Sequence, residues 1–248
     1  MAETRQRTVL VTRPEPGLSD TCEALRKLGW EPCPAPMLTI HPLPLKVPRR
    51  VDRIVVTSGQ SLDALRLALP PDIPLTAVGQ RTAERAREMG FSRVDHAAGT
   101  AASIIHHLGP SPGNTSLLLA TGQGLAGDLA IGLRQRGWAV TRRVVYWARS
   151  FSRIASPARE MLASGQVAAI LFYSPATARA FLDALGPARP QLASVRALAL
   201  SPRIGDALRN APFADIAIAA KPEERLLLDL LGPVPLMPFP PSRRNRLS

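Results

Sequence analysis

Residues 170–185 read ILFYSPATARAFLDAL. Ile170–Tyr173 is a short apolar run without polar alternation, the signature of a strand covered on both faces. Ser174 and Pro175 follow, and apolar residues then recur at helical spacing to Leu185, with a stop at Gly186. Serine suits a helix cap, and proline suits the first helical position, where its missing N–H leaves nothing unpaired. The stretch predicts strand, turn and helix.

The same reading applies along the chain. Thr8–Thr12 (TVLVT) stops at Arg13-Pro14 and precedes a helical pattern over Leu18–Leu28 that ends at Gly29. Ile54–Thr57 leads into Ser58–Leu69, and Leu75–Val78 into a helix reaching Met89 and Gly90. Leu117–Ala120 leads into Gly127–Arg136 and Gly137. Ala197–Leu200 leads into Pro202–Asn210, and Ile216–Ala219 into Pro222–Leu231 and Gly232. Strands alternating with helices of this length predict an α/β protein with parallel sheets.

The pattern is doubled. ALRKLGW (24–30) matches GLRQRGW (132–138), RIVVTSGQSLDAL (53–65) matches AILFYSPATARAF (169–181), and TAVGQRTAERA (76–86) matches LALSPRIGDAL (198–208), in the same order. A doubled module predicts two similar lobes and a cleft between them. The repeat leaves open whether the halves fold consecutively or exchange their first units. Glu31–Pro48 carries prolines at 32, 34, 36, 42, 44 and 48, too many for a helix or a central strand, and reads as an extended crossing. Thr141–Ser152 alternates in β fashion and suits a second crossing paired with it. The proline-rich basic segment 233–248 reads as a disordered tail.

The composition, 46% hydrophobic over 248 residues, is that of a globular protein. No apolar run is long enough to span a membrane, and the charged start is not a secretory signal, so the expected location is cytoplasmic. Cys22 and Cys33 have neither metal-ligand spacing nor partner histidines. Net charge is +12, three of the positive charges being Arg243, Arg244 and Arg246. Such charge suits a polyanionic small molecule or nucleic acid. Aromatics make up only 4% and do not interleave with basic residues, which counts against single-stranded nucleic acid.

Ligands of parallel sheets gather at the carboxyl ends of strands. Those ends here are Thr12-Arg13, Thr57-Ser58, Val78–Thr82 including Gly79, Thr121–Gly124 including Gly122, Tyr173-Ser174 and Ser201–Arg203. For any single serine simple capping is the better reading, but six such turns of small, hydroxyl-bearing and glycine residues before helices together favour a site for several anions. The dinucleotide fingerprint, the phosphate loop and the nucleophile elbow are all missing, as is a histidine or carboxylate cluster for metal. No cofactor and no metal are expected. The two tyrosines, Tyr146 and Tyr173, sit where a weak general acid would serve, or where a half-buried phenol merely bonds a neighbour.

Taken together, VLVTRP (9–14), VVTSGQSLDAL (55–65), AVGQRTAERAREMG (77–90), GLRQRGWAVTRRVVYWAR (132–149) and ILFYSPATARAFL (170–182) resemble the uroporphyrinogen-III synthase family over residues 8–231. The resemblance implies two flavodoxin-like lobes with parallel sheets: residues 1–35 with 150–232, and 43–143, joined by crossing strands at 36–42 and 144–149. It implies cofactor-free closure of hydroxymethylbilane, a linear tetrapyrrole with eight carboxylates, to uroporphyrinogen III with loss of water. It matches Tyr146 to the family's assisting acid and Thr82 to its AVGxxTA threonine. Carboxylates would then be held by Arg13, Ser58, Gly79, Thr82, Gly122, Tyr173, Ser174 and Ser201. The implied protein is a monomer that receives its substrate from hydroxymethylbilane synthase by transient handover, with no nucleic-acid or membrane partner. Three places depart from the family pattern: the TGQGLAGD turn lacks an RGE-type arginine, ALSPRIGDA has Ser201 and Ile204 for glycine and threonine, and Tyr173 replaces a threonine or serine. A non-catalytic anion-binding homologue and a nucleic-acid-binding protein are the competing readings.

Overall fold

A computed structural model describes residues 7–235, so the expected tail from 233 onward lies almost wholly outside the described residues. The chain divides into two compact units. One comprises the described residues up to Met37 and those from Phe151 onward; the other is Leu38–Ser150.

The first unit holds β1 (Thr8–Val11), β2 (Glu31–Pro34), β9 (Val167–Phe172), β10 (Arg196–Ala199) and β11 (Asp215–Ile218), with α1 (Gly17–Lys27), α6 (Ser156–Ala163), α7 (Pro175–Leu185), α8 (Pro202–Leu208) and α9 (Glu224–Asp229). Its sheet is parallel, in the order β11-β10-β9-β1-β2. In the unit's own chain order that is 2-1-3-4-5, and the order reverses between β1 and β9.

The second unit holds β3 (Leu38–Pro42), β4 (Arg53–Val56), β5 (Leu75–Ala77), β6 (Val94–His96), β7 (Ser116–Gly122) and β8 (Ala139–Ser150), with α2 (Leu62–Ala68), α3 (Gln80–Glu88), α4 (Ala101–Leu108) and α5 (Gly127–Gln135). The sheet order is β3-β8-β7-β4-β5-β6, and only β3 runs antiparallel, pairing with β8 from Leu38–Ser150 to Pro42–Tyr146. Its reversal lies between β4 and β7. Of the segments expected to cross, 36–42 falls largely in β3 and 144–149 in the second half of the twelve-residue β8, whose first half is parallel to β7.

Apolar runs make these sheets because both faces are covered. In the second unit Ile54, Val56, Leu118 and Ala120 pack on one face with α2 and α3. Val55, Leu117 and Leu119 pack on the other with α4 and α5. In the first unit Val9, Val11, Ala169 and Leu171 meet Cys22, Leu25 and Trp30, while Phe172 on the opposite face meets Phe181 edge-on at 5.5 Å.

The repeat is visible in detail. Gly29 and Gly137 end α1 and α5 with φ of +83° and +85°, a conformation side chains resist. The next N–H in each case, Trp30 and Trp138, donates to Leu25 and Leu133, and both indoles are buried. The first members of the two repeats therefore sit in opposite units from the members that follow them.

Some elements differ from the sequence reading. Pro32 and Pro34 lie inside β2. They fit because β2 is an edge strand: Glu31 and Ala35 donate to Arg7 and Val11, so the alternate positions 32 and 34 face away from β1. Helix α9 starts at Glu224 after an extended Glu223, two residues later than Pro222 suggested. Ser174 caps α7 by accepting from the Thr177 N–H at 3.1 Å, whereas Ser201, also extended and also at an N-cap, makes no such side-chain bond. Ser174→Ala is therefore expected to cost about 1 kcal/mol in urea unfolding, and Ser201→Ala a few tenths at most.

Candidate functional site

Each unit brings several of the expected residues together at its own topological reversal. In the second unit Ser58 follows β4 and caps a 3-10 turn over Gly59–Ser61, accepting from the Gln60 N–H at 3.3 Å. Ser61 donates to the Ala120 carbonyl at 3.2 Å, which ties this turn to the end of β7. Tyr146 arrives from β8, only 5% exposed, in the same apolar cluster as Val56 and Ala120. The ladder slips by one residue there, pairing Thr121 with Val144 but Gly122 with Tyr146. Such a bulge re-aims a side chain.

Gly122 is what admits the ring. A Cβ on it would lie 2.7 Å from two ring carbons of Tyr146 and 2.9 Å from its hydroxyl. In the turn that follows, Gln123 donates to the Tyr146 carbonyl and Leu125 to that of Gly122. Helix α5 begins only at Gly127, behind an Ala126 with φ of +58°.

Burial pushes the Tyr146 phenol above its ordinary 10.0, and a side-chain hydrogen bond with Ser58 pulls the other way. The folded phenol thus binds its proton more tightly than the unfolded one. The stability this contributes is complete below about pH 10 and is lost as pH rises through the raised folded value. Thermal melts between about pH 9 and about pH 11 are expected to show a steeper loss in the wild type than in Tyr146→Phe.

Gly79 caps α3 in extended backbone, 3.5 Å from the Gly99 Cα at its Cβ position, so alanine would meet only ordinary contact. Thr82 is half-buried in the first turn of α3. One turn on, Arg85 approaches the Ser58–Gly59 turn: its Cδ lies 3.3 Å from the Cβ position of Gly59, and its buried Nε has no hydrogen-bond partner. Sequence reasoning passed over Arg85, since arginine on a helix in a basic chain carries no signal of its own.

In the first unit Arg13 follows β1 and Tyr173 follows β9, the two strands flanking the reversal. The Arg13 guanidinium lies over the Tyr173 ring, 4.2 Å from its centroid. One oxygen of Glu224, the first residue of α9, accepts from Arg13 at 3.1 Å, from the Tyr173 hydroxyl at 2.9 Å and from Thr21 at 2.5 Å. Gly17 makes room, because a Cβ there would fall 2.2 Å from the guanidinium carbon. Thr21, Gly17 and Glu224 were not among the expected residues; glycine or threonine in an amphipathic helix, and glutamate at a helix start, are too ordinary to stand out. Ser174 spends its hydroxyl on α7, and Ser201 stands apart from the Glu224 cluster's hydrogen bonds.

Chemically, the second unit offers a buried phenol beside a serine hydroxyl, and the first a carboxylate held by a cation and two hydroxyls. Among the described residues there is no group of three or more His, Cys, Asp or Glu able to hold a metal ion, and no helix long and apolar enough to cross a membrane.

A family model described as uroporphyrinogen-III synthase HemD matches residues 19–229. Among solved structures, a uroporphyrinogen-III synthetase from Helicobacter pylori is similar at 17% identity and a TM-score of 0.60, over 90% of this chain and 97% of that one. A mutant uroporphyrinogen III synthase from Thermus thermophilus is similar at 21% identity and a TM-score of 0.50, over 90% and 96%. At such identities the likeness speaks for the fold. No curated protein sequence matches.

Proposed function

The chain belongs to the uroporphyrinogen-III synthase family, and from that premise we propose that it closes hydroxymethylbilane to uroporphyrinogen III with inversion of ring D and loss of water. The observation that supports this reading is the Tyr146 phenol, buried at the β4/β7 reversal beside Ser58 and seated against Gly122.

Tyr146 acts on the departing hydroxyl. The C–O bond breaks, the phenol proton goes to the leaving oxygen to form water, and an azafulvene cation and a phenolate remain. The Ser58 hydrogen bond favours the phenolate, so it eases this transfer although burial resists it. The substituted carbon of ring D then attacks the cation to give a spiro intermediate. The older bond to that carbon breaks, ring D turns over, and closure at its other α-carbon releases the proton that restores the phenol. Electron-rich pyrrole supplies most of the driving force, so the assisting acid contributes less than the usual general acid, about 10–100-fold. Positioning does the rest, by denying the cation its direct closure.

The groups suited to a substrate carboxylate are Arg13 and Tyr173 in the first unit and, taken separately, Ser58, Gly79 and Thr82 in the second. Arg85 adds a cation beside the Ser58 turn. No metal or organic cofactor enters these steps. The test is consumption of hydroxymethylbilane in EDTA-treated buffer. Macrocycle formation faster than spontaneous closure and indifferent to the chelator is expected; a rate no faster than the spontaneous one would remove the proposal.

A further inference from the structure

The Glu224 cluster has the composition of a receptor for a foreign carboxylate, yet the carboxylate in it belongs to the chain. Three donors from three separate elements converge on one oxygen: Arg13 after β1, Thr21 in the second turn of α1 and Tyr173 after β9. Thr21 is fully buried, the Arg13 side chain is 21% exposed and Glu224 only 14%. The guanidinium is seated from above by α1, where Gly17 leaves the space, and from below by the Tyr173 ring. Two of the donors directly follow neighbouring strands of the sheet, and the third stands in its first helix. Glu224 comes from a six-residue helix entered by extended backbone at Glu223. The carboxylate thus comes from a helix about half the length of α1, which has eleven residues and carries Thr21. The cluster also lies at the carboxyl ends of the two strands flanking the reversal, where doubly wound sheets take their ligands.

We infer that Arg13, Thr21 and Tyr173 form a receptor for one substrate carboxylate, and that Glu224 occupies this receptor in the unliganded protein and must be displaced by the substrate. The inference rests on the proposed reaction for the identity of the substrate, but not for the existence of the receptor. Displacement exchanges one carboxylate for another on the same donors, so the Arg13 cation is paired both before and after it. Its consequence is competition. An intramolecular carboxylate acts at a high effective concentration and reduces the share of molecules able to bind, which raises the apparent KM by the inverse of that share. Glu224 is on this account a residue that sets affinity without touching the reacting atoms.

Two measurements on the full chain test it. In the first, Glu224→Gln, which keeps the shape but loses the charge, is expected to lower KM for hydroxymethylbilane by about 3–10-fold with kcat little changed. A residue that merely fastened α9 would leave KM unchanged or raise it, and that result in an active protein overturns the displacement. In the second, sodium propionate is the probe and equal sodium chloride the control. Glu224→Ala empties the receptor, so propionate is expected to raise its melting temperature saturably by about 2–5 °C. The wild type and Arg13→Ala/Glu224→Ala are expected to show no such rise. Indifference of Glu224→Ala to propionate overturns the receptor. Should Glu224→Ala fail to fold, Glu224→Gln carries both arms, because propionate outcompetes a neutral amide on the same donors. A protein that turns over no hydroxymethylbilane yet refills with propionate separates failure of the reaction from failure of the receptor.

Discussion

Tyr146→Phe is expected to lower kcat by about 10–100-fold while KM for hydroxymethylbilane stays within about twofold. The substitution removes one oxygen and nothing else. The ring keeps its place against Gly122 and among Val56, Ala77 and Ala120, so the β7–β8 ladder and the packing are preserved. What is lost is a proton available only when the C–O bond is breaking, which is why the loss falls on kcat and not on binding. In free-energy terms the change is about 1.4–2.7 kcal/mol in the barrier. Stability should fall by no more than about 1 kcal/mol, the usual net worth of one hydroxyl's hydrogen bonding. Single-turnover kinetics with unfolding curves on the same preparation check both numbers. An unchanged kcat would assign the phenol a purely structural role.

Gly122→Ala is expected to do at least as much damage without touching the phenol chemically. Its Cβ would be 2.7 Å from two ring carbons, well inside contact distance, and neither side can yield cheaply. The ring is rigid and walled in by the core, while Gly122 is held in β7 by pairing with β8. The ring must leave its position, at a cost of about 1–3 kcal/mol in stability. The hydroxyl leaves Ser58 with it, and kcat is expected to drop by the same 10–100-fold or more. Gly127→Ala is the control, since no atom lies within 4 Å of its Cβ position and the helix gains a better former. Because Gly122 acts through Tyr146, Gly122→Ala/Tyr146→Phe should resemble the worse single variant, not the product of the two. Full activity in Gly122→Ala would show that the ring position is irrelevant to the reaction.

What the sequence made legible follows from how local each signal is. Strands such as Ile54–Val56 and Ile170–Phe172, buried on both faces, announce themselves as apolar runs. The glycine-then-tryptophan ends of α1 and α5 carry the repeat, because a positive φ and an indole that must be buried leave few alternatives at those positions. The edge strand β2 was obscured by Pro32 and Pro34, whose compatibility depends on which side of the strand is paired. Strand β6 has only three residues, Val94–His96, and an apolar count of one. At the site, Arg13 and Tyr173 stood at the ends of recognisable elements and Tyr146 within one. The partners that define their work did not. Gly122 lies 24 positions from Tyr146 and is opposed to it only through a bulge in the ladder. Glu224 lies 211 positions from Arg13. Contacts of that range belong to the topology, which no local period encodes.

The most direct test of the central claim is the isomer of the product. Hydroxymethylbilane, generated in place by its synthase, is incubated with this protein, and the porphyrinogens are oxidised and separated by chromatography. The account predicts that isomer III dominates over the isomer I of spontaneous closure. Isomer I alone, from protein shown to be folded, would contradict it.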